Sequence, residues 1–220
     1  MFTPYKIIKK YSQKLSDIET VNIFYEIESE LDNIFFISSD LMTALLRVKW
    51  WETKLIEIQD QNIKDSHPIL KKIQELFDNN QIDSLINFID SKIYEAERYE
   101  FIDHHMIIQN YFEKIGKTKS LIILNNTDLT SLMTCFEILK FLSWKSLYSD
   151  KNWNFDNKII DNLIVYLKSN FQIIEYKNFS MIEKLYYQSV KILIQSIKNH
   201  DIKIKENYFR VKLSFAMLFA

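Results

Sequence analysis

Residues that build tight turns and reactive loops are nearly missing from this chain: one glycine, two prolines and one cysteine in 220 residues. A Gly-rich phosphate loop, a dinucleotide fingerprint and a nucleophile elbow each need more than Gly116 alone. Sheets and sharp turns use both Gly and Pro, so their scarcity predicts long helices joined by short polar loops. Cys135 by itself excludes a disulfide framework or a cysteine zinc site and suits a reducing compartment. No apolar run approaches the length that crosses a bilayer. Met1 to Tyr11 lack the apolar run of a signal peptide, so a cytoplasmic location is expected. Charge of one sign is also lacking: 28 basic against 29 acidic residues give a net charge of -1. Without a basic field no nucleic-acid partner is expected.

Ile, Lys and Asn are abundant, and the length fits one large domain, residues 1–220, with a sizeable core. The most organised stretch is 41–58, which holds Trp50 and Trp51 as an adjacent pair. Leu41, Ala44, Leu45, Val48, Trp51, Leu55 and Ile58 recur at helical spacing. Trp50 and Leu46 lie round the circumference from that face, so the helix is expected to be central and to touch several others. Arg47 stands one turn before Trp51. Two readings follow: it stacks on an indole and meets a carboxylate, or it lines a cavity and meets an anion.

Taken in order, Ser16-Asp17-Ile18-Glu19 reads as a capping box opening a helix to about Phe36. Ser38 or Ser39 would cap the Trp-Trp helix, which runs to about Gln59. Pro68 opens a short helix to Phe77. Asp78-Asn79-Asn80 reads as a turn, followed by a helix from Ile82 to Arg98. One further helix covers Asp103 to Leu124, with Gly116 inside it, a sign of close approach by another backbone or a ligand. Asn125-Asn126-Thr127 ends that helix and caps the next, whose face carries Leu129, Leu132, Met133, Phe136, Leu139 and Leu142. Asp156 caps a helix to Asn170, and Ser180-Met181-Ile182-Glu183 is a second capping box for a helix to Lys198. A last helix, from Glu206 to Ala220, carries Val211, Leu213, Phe215, Ala216, Met217, Leu218 and Phe219 behind Arg210 and Lys212. It docks either on a membrane or partner, or on its own domain. The reading is a single all-α domain.

Three groups invite chemistry. Glu97, Glu100 and His104, with Asp103 and His105 adjacent, have the spacing of a metal site on a continuous helix, or are surface acids near a helix start. Lys114, Lys117, Thr118 and Lys119 form either a phosphate-facing group or a solvated face. Glu26, Glu28, Glu30 and Asp32 make an acidic face, of which Asp32 is the notable member. Mg²⁺ on a diphosphate favours carboxylates one helical turn apart, and four residues after Asp32 stands Phe36.

Arg47-Val48-Lys49-Trp50-Trp51-Glu52-Thr53-Lys54-Leu55 resembles the R-L-Q-W-W-R-(D/E)-A-L segment of the squalene/phytoene synthase family. The nearest branch is that of the mitochondrial respiratory complex I assembly factor and its bacterial relatives. His67-Pro68-Ile69 is similar to the family's H-P-V, and Phe24-Tyr25-Glu26-Ile27 to its L-Y-A-F helix. Tyr111-Phe112-Glu113-Lys114-Ile115-Gly116 falls where the family has Y-x-x-x-(A/T)-x-G. Leu139 to Trp144 looks like L-L-R-S-L-P-F. The resemblance implies an isoprenoid-synthase-like helical bundle around a central cavity. Asp32, Arg47, Trp50, Trp51, Tyr111 and Gly116 are then cavity or binding candidates. Active members use two aspartate-rich motifs that hold Mg²⁺. Here those positions would be Asp32, Phe36, Phe141 and Lys145, so one acid of four remains. The resemblance therefore implies a non-catalytic assembly or binding factor with no cofactor and no metal. Its partners would be a prenyl or other lipid ligand, a membrane protein, and the inner membrane touched peripherally. The alternative is a divergent head-to-head prenyltransferase that uses Mg²⁺ through an unusual shell such as Glu95 and Glu97.

Overall fold

The computed structural model describes residues 4–16, 19–37, 40–60, 67–96, 104–149, 157–176, 178–198, 201–202 and 206–218. They form an all-α protein. In order the helices are α1 (Pro4–Ser16), α2 (Glu19–Ile37), α3 (Leu41–Gln59), α4 (Pro68–Leu76), α5 (Asn79–Ala96), α6 (His104–Ile107), α7 (Lys114–Leu124), α8 (Thr130–Ser149), α9 (Asn157–Gln172), α10 (Met181–Ile194) and α11 (Glu206–Leu218). A π-helical turn, Ile108–Glu113, joins α6 to α7, and a 3-10 turn, Thr127–Leu129, precedes α8. Two-residue strands β1 (Ile197–Lys198) and β2 (Asp201–Ile202) pair antiparallel, Ile197 opposite Ile202. No described helix is long and apolar enough to cross a membrane.

The centre of the bundle is α7 and α8 rather than the Trp-Trp helix. Every residue from Leu132 to Leu142 is buried, and α7 buries Ile115, Gly116, Thr118, Lys119, Ser120, Ile122, Ile123 and Leu124. A helix with no polar stripe has nowhere to lie except among other helices. Asn125 reverses the chain with φ 50°, a left-handed conformation that Asn tolerates better than most residues. The Asn126 side chain then accepts from the Asp128 amide at 3.1 Å and donates to Glu183 Oε1 at 2.9 Å. That Glu183 belongs to the Ser180 capping box, which forms as its spacing predicts. At the α7/α8 crossing, a Cβ on Gly116 would run into Thr134 Oγ1 and stand 2.7 Å from the Thr134 amide nitrogen. The backbone that approaches Gly116 is therefore that of α8.

α3 buries one face, Ala44, Val48, Trp51, Leu55 and Ile58, and packs on α5, α2 and α4. Its other face stays in solvent: Leu46 is 63% and Trp50 38% exposed. The expectation of a helix buried on two sides is corrected accordingly. Its cap is Asp40, which accepts from the Thr43 amide at 2.9 Å, rather than Ser38 or Ser39. Both serines, and Asp17 and Ile18 of the first capping box, lie outside the described residues, as does Asp156.

Other boundaries move for local reasons. Asp78 and Gln81 exchange side-chain to amide hydrogen bonds at 2.8 and 3.1 Å, so α5 begins at Asn79 where a turn was expected. The single helix expected over 103–124 is broken by the π turn, which buries Ile108, Tyr111 and Phe112 on one side. α10 stops at Ile194, before the β1–β2 ladder. α1 was not anticipated; it buries Ile7, Ile8 and Ser12. α11 packs on α10 and α1, with Phe209 and Leu213 buried, so its described face lies on its own domain.

Candidate functional site

Six ionisable side chains converge inside the bundle. α2 supplies Glu28 and Asp32, four residues apart and therefore on one face. Glu28 lies in the apolar arc of Phe24, Ile27 and Leu31, which is buried against the other helices, while Glu26 and Glu30 point to solvent. α8 supplies Glu137 and Lys140, α7 supplies Lys119, and α5 supplies Lys92.

Lys119 Nζ reaches Glu28 Oε1 and Glu137 Oε1, each at 2.6 Å. Lys140 Nζ stands 3.0 Å from the same Glu28 oxygen, 3.6 Å from Asp32 Oδ2 and 3.9 Å from Glu137 Oε2. Lys92 Nζ closes the other side of Asp32 at 2.8 Å. Aromatic faces complete the lysine surroundings. Lys92 Nζ is 5.8 Å from the Phe88 and Tyr111 ring centres, and Lys119 Nζ is 6.0 Å from Phe24 and 5.9 Å from Phe136.

Three carboxylates thus balance three ammonium groups in a buried volume. Burial alone would raise the Glu28 and Asp32 carboxyls. Lys119 and Lys140 outweigh it at Glu28, and Lys140 and Lys92 at Asp32, so both stay below the ordinary carboxylate range. Burial would likewise lower Lys140, but Asp32, Glu28 and Glu137 hold its ammonium well above its ordinary value. At the rim, Lys9 of α1 donates to Ser29 Oγ at 2.7 Å and to the Tyr25 carbonyl at 3.2 Å. Burial, and then repulsion from Lys140 and Lys119, brings this amine down to about 8. Below lies a buried hydroxyl group: Tyr25 and Tyr186 share a 2.5 Å hydrogen bond, and Tyr25 donates to Ser12 Oγ at 3.2 Å.

Carboxylate oxygens are the hard ligands Mg²⁺ takes, and Glu28 with Asp32 has the one-turn spacing that suits it. The oxygens here are engaged by ammonium groups, which repel a cation at hydrogen-bonding range. The residues as arranged do not fit Mg²⁺. What they can do is hold the rotational register of α2, α5, α7 and α8.

The residues singled out from sequence separate. Asp32 and Tyr111 meet through Lys92. Phe141 is buried against Phe112, ring centres 5.5 Å apart, one turn beyond Glu137. The side chains of Phe36, Lys145, Glu95, His104 and His105 lie outside the described residues, as do Glu97, Glu100 and Asp103 entirely. Arg47 is exposed on α3. Trp51 is buried, and both tryptophans make edge contacts to His67, the N-cap of α4, at 5.1 and 5.7 Å. Gly116 serves the α7/α8 crossing instead.

The basic group of α7 also divides. Lys114 pairs with Asp90 at 2.9 Å, Thr118 donates to the Ser84 carbonyl at 2.6 Å, Lys117 is exposed and Lys119 is in the core. Lys114 and Lys117 border a groove of about 310 Å³ shared with Glu113, Thr134 and Tyr166.

Sequence reading passes over Lys92, Glu137 and Lys140; it places Glu28 on an acidic face and Lys119 in a phosphate-facing or solvated group, not in a buried ion cluster. The available signal was position: Glu28, Glu137 and Lys140 each interrupt an apolar helical arc, where a charge has to find a partner.

The fold and cluster define an all-α bundle with an ion-paired core. No family model, curated protein or solved structure matches this chain.

Proposed function

We propose that this chain is a non-catalytic member of the squalene/phytoene synthase family, an isoprenoid-synthase-type bundle that acts as an assembly or binding factor. The direction of that role comes from the resemblance of 47–55 to the branch that matures respiratory complex I. The observation that supports loss of chemistry is the pairing of Glu28, Asp32 and Glu137 by Lys92, Lys119 and Lys140. Departure of a diphosphate develops negative charge that Mg²⁺ normally carries at its oxygens. In this core Lys92 and Lys140 take Asp32, the one acid that the resemblance leaves for the ion, and Lys119 and Lys140 take Glu28 one turn from it.

The test offers farnesyl and geranylgeranyl diphosphate with Mg²⁺ or Mn²⁺ and follows diphosphate release and lipid products. No turnover above a heat-killed control is expected. Turnover abolished by Asp32→Ala would instead establish the prenyltransferase alternative. A companion measurement titrates Mg²⁺ by calorimetry into the wild type and into Lys119→Gln/Lys140→Gln. The wild type should give no heat of binding, and the variant, if folded, should gain some.

A further inference from the structure

We propose that the outward face of α3 docks on an anionic lipid surface. Met42, Leu46 and Trp50 follow one another at intervals of four, so they form a line drifting by roughly 40° per step along the helix. They are 61%, 63% and 38% exposed. Single exposed apolar residues are ordinary, but an aligned set on a helix whose opposite face is already packed is not. Exposed Lys49 flanks the line on one side and exposed Arg47 on the other. Of the acids nearby, Glu57 is taken by Lys54 at 2.7 Å, Glu52 is part-exposed between Lys49 and Asp90, and Asp40 and Asp60 sit at the two ends as caps.

An apolar line between two cations is the pattern of a helix lying in a bilayer interface. The apolar groups enter the acyl boundary and the cations reach lipid phosphates. Trp50 has the residue type favoured at that depth, and it is presented rather than loose. Its ring is held edge-on by Trp51 at 5.2 Å and His67 at 5.7 Å.

The experiment is flotation of the whole chain with vesicles of phosphatidylcholine alone and of phosphatidylcholine with phosphatidylglycerol. Binding to the anionic vesicles and none to the neutral ones is expected. Arg47→Gln/Lys49→Gln should weaken it by roughly 20- to 30-fold at low salt. Met42→Glu/Leu46→Glu should abolish it while leaving the melting temperature unchanged, because those side chains project outward. Three results would overturn the proposal: no flotation with anionic vesicles, equal flotation with both compositions, or wild-type flotation of Met42→Glu/Leu46→Glu. A concentration-dependent dimer in light scattering, lost in Leu46→Glu, would assign the face to a second copy of the chain and equally overturn it.

Discussion

Lys119 and Glu28 meet at 2.6 Å across 91 positions of sequence, in a volume where both side chains are almost wholly shielded from water. Such a pair adds little net stability over a well-packed apolar one, because both ions lose their hydration. Breaking it is another matter. Lys119→Met leaves Glu28 and Glu137 short of a counter-ion and should cost about 3–5 kcal/mol. Lys119→Met with Glu28→Gln removes one charge of each sign and should cost less than the sum of the two single changes. Urea unfolding of all four proteins gives the coupling; strict additivity would show that the two groups do not act as a pair.

Adjacent tryptophans should behave differently. Trp51 is 2% exposed and packs edge-on against His67 at the head of α4, so Trp51→Ala should lose about 3–5 kcal/mol, the usual cost of emptying a large aromatic site. Trp50 is 38% exposed, and Trp50→Ala should lose a good deal less. Thermal melts of the two variants decide this, and equal losses would contradict the placement.

This pair also shows what the sequence makes legible. Spacing alone picks the Trp51, Leu55, Ile58 face as buried, and it is. Hydrophobicity cannot tell a second buried face from one left in solvent, so the pattern points Leu46 and Trp50 inward while the fold leaves them exposed. Read forward from Asp32 the one-turn spacing meets Phe36; read back it meets Glu28, which shares Lys140 with Asp32. The three lysines were hidden by abundance. In a chain rich in Lys, Lys119 inside Lys117-Thr118-Lys119 looks like surface, and only the packing of α7 shows that it points inward. The π turn left no mark, because a one-residue change of period keeps Tyr111 and Phe112 apolar and buried.

Gly116→Ala sets two effects against each other. Alanine is the better helix former by about 1 kcal/mol. Its Cβ, however, would fall 2.7 Å from the Thr134 nitrogen and 2.9 Å from the Thr134 Cα. Backbone cannot swing aside, so α7 and α8 must separate, at a cost of about 1–3 kcal/mol. Net destabilisation is expected, and Thr134→Ala should rescue only part of it, because the backbone contacts remain. Denaturant midpoints of the single and double variants test both statements.

Cys135 is wholly buried on α8, and burial pushes its thiol up to about 12. Thiolate is the reactive form, so a disulfide reagent at neutral pH should modify it only through opening of the bundle. The labelling rate should rise in parallel with urea-induced unfolding. Rapid labelling of the native protein would place Cys135 elsewhere.

The charge cluster predicts the shape of stability against pH. Glu28 and Asp32 titrate lower in the folded protein than in the unfolded chain, whose carboxyls take up protons near about pH 4. Below that point the unfolded state binds more protons, so their contribution is complete above about pH 5 and is lost as pH falls through the folded values. Lys140 shifts the other way. Its contribution is complete below its ordinary 10.5 and is lost as pH rises through a higher folded value. Lys9 is lowered to about 8, so between about 8 and 10.5 the unfolded chain holds the extra proton and stability rises with pH. The curve should therefore fall on the acid side, stay level from about pH 5 to 8 and climb only between about pH 8 and 9, above which the Cys135 thiol and the Tyr25 and Tyr186 hydroxyls, held protonated by burial, oppose Lys9 and lead into the alkaline loss. Lys9→Met should remove the climb and leave the acid limb unchanged. Urea midpoints from pH 3 to 11 measure both limbs. A midpoint that stays constant down to pH 3 would mean that Glu28 and Asp32 are not the paired carboxylates of this core.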